Sequence, residues 1–301
     1  MKKAFFAFLF LFFVFLTLFL FAAAGASAAE TKTLLVGLVP EENIFRVMEQ
    51  HLPLAQYIEE KTGIKVRFTV LPRYGDVIDK FKARHMDGAF FGAFTGYLAH
   101  VKLGVEPLVR PIGPGGLVTA QSVIVVRKDS GIQSFQQLRG KRAVFVDKAA
   151  ASYIYLLYQL RRLGVSNTGE KRFFSGHYFT GNNEESIYAV LNGGADVGLA
   201  KSRYFEKLSS QDPLVSERLF VLSRSGDMPD IVLCLRKDFP PATKALLERT
   251  LMNMRYDPEG IQVLRVLRYS GFEKADAADF DPVARLADGA GIKIPSYRYA
   301  R

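Results

Sequence analysis

Apolar runs alternate with segments of helical spacing between Thr33 and Leu103, and this alternation limits the fold more than any other feature of the chain. Thr33 to Val39 reads as a strand ended by Pro40, and a helical pattern then runs through Met48, Leu52, Leu54, Tyr57 and Ile58 to a stop at Gly63. Val66 to Leu71 reads as a second strand, Tyr74 to Arg84 as a helix, Ala89 to Phe94 as a third strand and Tyr97 to Leu103 as a short helix. A β-α-β-α-β order predicts a mostly parallel sheet covered by helices, with ligands bound beyond the carboxyl ends of the strands. Those ends are Val39 to Asn43, Leu71 to Tyr74 and Phe94 to Tyr97, which makes Asn43, Tyr74, Thr95 and Tyr97 candidate contacts.

Two later runs resemble each other. Ser122 to Asp129 (SVIVVRKD) and Ile231 to Asp238 (IVLCLRKD) each place an apolar strand before Arg-Lys-Asp. Between them lies a second α/β set: strands at 143–146, 177–180, 197–200 and 219–222, with helices to Leu160 and over Asn183 to Leu191. Beyond the second run the chain reads as mostly helical. The expected architecture is therefore α/β with two lobes joined by two paired crossover strands. Residues 30–125 and 232–301 would form lobe one, and 126–231 lobe two. A chain of this length exceeds what one compact core usually holds, which points the same way.

The segment Gly140 to Leu160 (GKRAVFVDKAAASYIYLLYQL) reads as strand, tight turn and helix, with Asp147 placed to cap the helix. Free N–H groups at the first turn of such a helix attract anions. The small residues Ala149, Ala150 and Ala151 would let a ligand approach the backbone. An ordinary crossover with nothing bound there is the competing reading.

At the N-terminus, Lys2 and Lys3 precede an apolar run from Ala4 to Ala24, followed by Ala26-Ser27-Ala28. This describes a secretory signal peptide over residues 1–28, and an uncleaved anchor is the alternative. Loss of that segment takes the net charge from +10 to +8. The positive excess is scattered, which suits solubility or anionic ligands. No nucleic-acid module is legible. The single cysteine, Cys234, sits in an apolar run and excludes an internal disulfide. The four histidines show no metal-type pairing, and neither a G-x-S-x-G elbow nor a Walker loop occurs. No cofactor, metal or catalytic residue is therefore expected, and a monomer is.

The mature chain resembles the periplasmic phosphonate/phosphite/phosphate-binding family of ABC importers, which has the type II solute-binding fold. The resemblance rests on Gly37-Leu38-Val39-Pro40, Lys61-Thr62-Gly63, and Tyr74 with Asp87-Gly88-Ala89-Phe90-Phe91-Gly92. It continues through Ser122 to Ser130, Leu138 to Arg142, Phe145-Val146-Asp147, Ala189 to Gly193 and Asp196-Val197-Gly198. It implies a ligand cleft contacted by Tyr74, Thr95 and Ser122, and the adjacent Gln121 is a further candidate contact. The family's Ser-Thr-Ser-Gly helix start corresponds to Ala150, Ala151, Ser152 and Tyr153, so two hydroxyls are missing and an aromatic replaces glycine. The Tyr often found before the hinge strand is Ala120. The family's His corresponds to Asn183, and an amide or acidic position to Lys201.

Phosphonates are expected to bind poorly, because each hydrogen bond missing from a buried oxyanion costs ~1–3 kcal/mol. Lys201 would supply positive charge to a solute or extend to solvent. Tyr153, Tyr74 or Tyr97 would stack on a flat solute. The resemblance implies a periplasmic protein that captures a small anionic or polar solute for a membrane permease. A sensory protein docking on a membrane sensor kinase is the alternative, and an enzyme on this scaffold is disfavoured.

Overall fold

The computed structural model describes residues 33–71, 73–74, 77–166 and 170–299. The expected signal segment lies outside them. Among the described residues, no helix is long and apolar enough to cross a membrane.

Strand β1 (Leu34–Leu38) leads into α1 (Ile44–Thr62), whose start is fixed by Asn43: its side chain accepts from the N–H groups of Phe45 and Arg46. Gly63 closes the helix at φ 71°, the left-handed region that favours glycine. Next come β2 (Val66–Val70), α2 (Val77–Ala83), β3 (Gly88–Gly92), α3 (Ala93–Leu103) and β4 (Glu106–Ile112). Thr119–Ala120 (β5) then crosses to the second sheet. That sheet uses β6 (Ser122–Arg127), β7 (Arg142–Phe145), α4 (Ala151–Arg162), α5 (Glu170–Phe173), β8 (Gly176–Phe179), α6 (Asn183–Leu191) and β9 (Val197–Lys201). It is completed by α7 (Ser202–Gln211), α8 (Pro213–Arg218) and β10 (Leu219–Arg224). The chain returns through β11 (Met228–Pro229) to β12 (Ile231–Leu235), α9 (Pro241–Asn253), α10 (Pro258–Leu267), β13 (Gly271–Lys274) and α11 (Asp281–Gly289).

The first sheet has the order β13-β4-β12-β3-β1-β2 and the second β10-β6-β9-β7-β8. The parallel parts are β2-β1-β3 and β8-β7-β9, and the remaining strands run antiparallel, so both sheets are mixed. The antiparallel strands β6 and β12 are those that receive the chain after each crossing.

Three expectations change here. The two similar runs do not pair with each other: β6 pairs β10 and β9, and β12 pairs β3 and β4. The crossing ribbon is instead the short antiparallel pair β5–β11, just upstream of each run, with Ala120 opposite Met228 and Thr119 opposite Pro229. Ser122–Arg127 belongs wholly to the second sheet, so the expected boundary at 125/126 falls inside β6.

The C-terminal segment also leaves the first lobe. Tyr297 donates from its hydroxyl to the carbonyl of Lys148 at 2.8 Å, and Gly289 lies close enough to the Tyr158 ring of α4 that a Cβ there would clash. Phe91, Phe94, Phe145, Ile154, Val283 and Ala287 accordingly share one continuous core reaching from one sheet to the other. Separate cores lie under α1, α9 and α10 in the first lobe and under α6 and α7 in the second.

Candidate functional site

Strand ends and helix starts from both lobes converge on a cavity of about 30 Å³, room for a water or two. Tyr74, Thr95, Gln121, Ser122, Ala150, Ala151, Ser152, Asn183 and Lys201 all line it. Asn43, Tyr97 and Tyr153 do not. Asn43 is consumed in capping α1 at the surface. Tyr97 packs on Phe280 at 6.4 Å, on the flank of α3. Tyr153 is buried in the second lobe, 5.5 Å from Phe145 and 6.0 Å from Phe179, so it neither stacks on a solute nor obstructs the cavity.

The start of α4 differs in detail from the expected cap. Asp147 accepts from the Ala149 N–H at 2.9 Å, in a turn before the helix, and Ala150 is the N-cap with no side-chain hydrogen bond. The first-turn amides of Ala151 and Ser152 therefore have no intrahelical acceptor, and both residues line the cavity. The Thr95 hydroxyl is turned inward to the Gly92 carbonyl at 3.0 Å.

Glu41 stands at the centre of the cleft. It is only 3% exposed, although it is a charged residue on a strand-to-helix turn. Its carboxylate meets Lys201 Nζ at 2.5 Å and Arg203 at 3.0 Å, and accepts from the Tyr204 hydroxyl at 3.2 Å. Asp230, beside the crossing ribbon, meets the same two cations at 2.7 and 3.3 Å. Two acids of the first lobe are thus cross-paired with two bases of the second. Lys201 gives its charge to side chains of the protein itself, and it does not extend to solvent. Gly92 makes this possible: a Cβ there would lie 3.0 Å from Glu41 Oε1. The carboxylate consequently rests beside the start of α3, which no side chain of that helix caps and whose dipole favours it.

Asn183 ties the lobes a second time. Its N–H and its side-chain amide both donate to the Glu41 carbonyl, at 3.2 and 3.1 Å, and its amide oxygen accepts from the Lys201 N–H at 2.8 Å. Further out, Lys207 bridges Glu42 and Glu184, at 2.8 Å to each. Burial alone would push the Asp230 carboxyl up, but Arg203 and Lys201 outweigh it and hold the group below its ordinary range. Glu42 is likewise held down, against burial, by Lys207 and Arg46. Burial and the Glu41 charge push the Tyr74 phenol well up, so it stays neutral.

Glu41, Asp230, Arg203 and Tyr204 escape the sequence reasoning, although Glu41 sits in a strand end that the reasoning singles out. The signal was present in the acidic pair Glu41-Glu42 after β1 and the basic pair Lys201 and Arg203 after β9. On the far side of Glu41 lies a second cavity of about 440 Å³, between α7 and the first lobe. Glu41 lines both. Among the described residues no group of three His, Cys, Asp or Glu side chains is arranged to hold a metal.

A family model described as "ABC transporter, phosphonate, periplasmic substrate-binding protein" matches residues 36–280. The phosphonates-binding periplasmic protein of Escherichia coli K12 is 24% identical over 265 residues, covering 86% of this chain and 77% of that protein. The phosphate-import protein PhnD of Mycolicibacterium smegmatis is 30% identical over 187 residues, and the match spans 58% of this chain and 57% of that protein. A binding-protein component of an ABC phosphonate transporter from Pseudomonas aeruginosa superposes with a TM-score of 0.77 at 20% identity, covering 87% of each chain. PhnD1 from Prochlorococcus marinus, solved with methylphosphonate, gives 0.75 at 18% identity, over 87% of this chain and 99% of that one. The two structural likenesses establish the type II periplasmic binding-protein fold. The family's members are substrate-binding components of transporters and not enzymes. Over most of its length, then, the chain belongs to the phosphonate-type periplasmic substrate-binding protein family of ABC transporters.

Proposed function

We propose that this protein captures a small polar or anionic solute between its lobes in the periplasm and presents it to a membrane permease. The observation that carries the reading is the convergence of Tyr74, Thr95, Ser122, Ala151, Ser152 and Lys201 on one cavity at the lobe junction. These residues, with Gln121, Ala150 and Asn183, receive the solute's charged end. The moving units are residues 33–118 with 230–280 on one side and 121–227 on the other, turning on the β5–β11 ribbon. Export is by the segment 1–28, and the mature chain begins near Ala29. N-terminal sequencing of the periplasmic protein tests this point, and Met1 retained in a membrane fraction would refute it.

Phosphonates, which the names of the relatives invoke, are held weakly here. The helix start offers backbone N–H groups but only one of the family's hydroxyls, and Lys201 is already committed to Glu41 and Asp230. A phosphonate would also sit against the Glu41 carboxylate. Titration calorimetry with methylphosphonate and phosphite should give no sub-micromolar binding. Solution scattering over a broad panel of periplasmic solutes should find one that reduces the radius of gyration. A radius that no solute changes would refute capture between moving lobes.

A further inference from the structure

The cavity beyond Glu41 is far roomier than the small cavity at the helix starts, which leaves little room for a solute's body. At about 440 Å³ the larger one falls in the range of small-molecule sites. On the first-lobe side Leu38, Val39, Val47, Phe90 and Ile231 form an apolar stretch of wall, beside the polar Glu42, Gln50, His51 and Arg268. Leu117 also lines it and is 61% exposed, so the cavity reaches solvent. Its charged end is the Glu41, Asp230 and Arg203 cluster, with Lys201 immediately behind Glu41.

We propose that this cavity holds the organic body of the solute, and that the solute is a small zwitterion bearing a carboxylate and an ammonium group on an apolar frame. The inference rests on the capture reading above and specifies its ligand. The charge balance of the cluster is the reason. Lys201 and Arg203 each contact both Glu41 and Asp230, at 2.5 to 3.3 Å, so two positive and two negative groups saturate one another.

A simple anion drawn to Arg203 strips it from its partners and brings the Glu41 and Asp230 carboxylates against itself. A simple cation drawn to Glu41 and Asp230 leaves two buried bases in the same position. Each loses the compensation that makes buried charge tolerable. A zwitterion exchanges partners with both signs: its carboxylate takes Arg203 at the cavity wall, its ammonium takes Glu41 and Asp230, Lys201 behind them keeps its two carboxylate partners, and no group is left unmatched. The rejection of single charges is itself a source of specificity. Arg203 supports the exchange, because its buried Nε–H has no hydrogen-bond acceptor among the described residues.

Calorimetry on the mature protein tests this with matched sets: alanine, leucine and phenylalanine, each beside its deaminated acid and its decarboxylated amine. At least one amino acid should bind tenfold or more tightly than both of its counterparts. Gln50→Trp, on the cavity wall, should weaken that binding at least tenfold, while Gln50→Ala should not. An acid or amine that matches its amino acid, or three amino acids that all fail to bind, overturns the proposal. A solute that compacts the protein with an affinity indifferent to Gln50→Trp also overturns it, yet leaves solute capture standing. Absence of compaction with every solute refutes the capture reading itself.

Discussion

Glu41 is the shared counter-ion of Lys201 and Arg203. Glu41→Gln keeps the shape but removes the charge, so Lys201 and Arg203 retain Asp230 alone between them. Breaking a buried pair from one side costs about 3–5 kcal/mol when nothing compensates. With Asp230 still present, the loss should fall at the lower end of that range, read as a lower urea midpoint with unchanged slope. His51 gives a second residue-level prediction. Its ring is buried, edge-on to Phe68 at 5.4 Å and Phe90 at 5.7 Å, and Nδ1–H donates to the Val47 carbonyl at 2.7 Å. Burial pushes the imidazole down from 6.5 to about 4, against that hydrogen bond and the Glu42 charge, which favour protonation. The unfolded chain therefore takes up a proton before the folded one does. The sign follows: stability is full above about pH 6.5 and is lost as pH falls toward 4, by about 3 kcal/mol from this one group. His51→Gln should flatten the midpoint-against-pH curve in that window, and an unchanged slope would show that His51 is not the titrating group.

At the scale of elements, the start of α4 decides how a phosphonate is treated. Restoring hydroxyls with Ala150→Ser and Ala151→Thr should raise methylphosphonate affinity about tenfold, since a charge-assisted hydrogen bond contributes ~1.5–3 kcal/mol and Glu41 opposes the anion. Tyr153→Gly should be left out of that combination. Tyr153 is core, so its removal should cost about 3–5 kcal/mol of stability and return no affinity. Helical spacing identifies Tyr153 as an inward residue of α4, but it does not say whether the inward side is cavity or sheet. The helix Asn183–Leu191 is legible in the sequence, because Ile187, Val190 and Leu191 repeat at helical spacing, and the structure adds the Asn182 cap, whose side chain accepts from the Glu185 N–H. Strand β4 was not, because Pro107, Arg110 and Pro111 break the apolar pattern and proline argues against a strand interior. The structure accommodates it by a register shift of β12 between Leu233 and Cys234, opposite Val109 and Pro107. Strand-end residues such as Tyr74 and Thr95 are legible in local pattern, whereas Ser122 follows only from the family resemblance. The Glu41–Lys201 contact joins positions 160 residues apart, and no local pattern carries that.

For the whole molecule, the proposed capture between moving lobes makes closure a balance between the ion pairs across the cleft and the parts that tie the lobes together. The ties are the ribbon β5–β11 and the C-terminal segment, whose Tyr297 bonds to Lys148 in the other lobe. The reversible parts are charged: Glu41 and Asp230 with Lys201 and Arg203, and Lys207 with Glu42 and Glu184. Acid should therefore open the cleft in a way that salt alone does not, because buried pairs are screened far less than exposed ones. Asp230 and Glu42 are both held below the ordinary carboxylate range in the closed form, by Arg203 and Lys201 and by Lys207 and Arg46, against burial. A depressed carboxylate contributes stability that is complete above its ordinary pKa, near 4, and is lost as pH falls through the lower folded value. Protonation should release the clamp while the continuous core through Phe91, Phe145 and Val283 still holds the hinge side together. Scattering between pH 7 and 3 should thus show the radius of gyration rising at the acid end. Asp230→Asn should begin that rise from an already more open state at pH 7. A radius that stays constant until the circular-dichroism signal collapses would mean that the cleft charges do not govern closure.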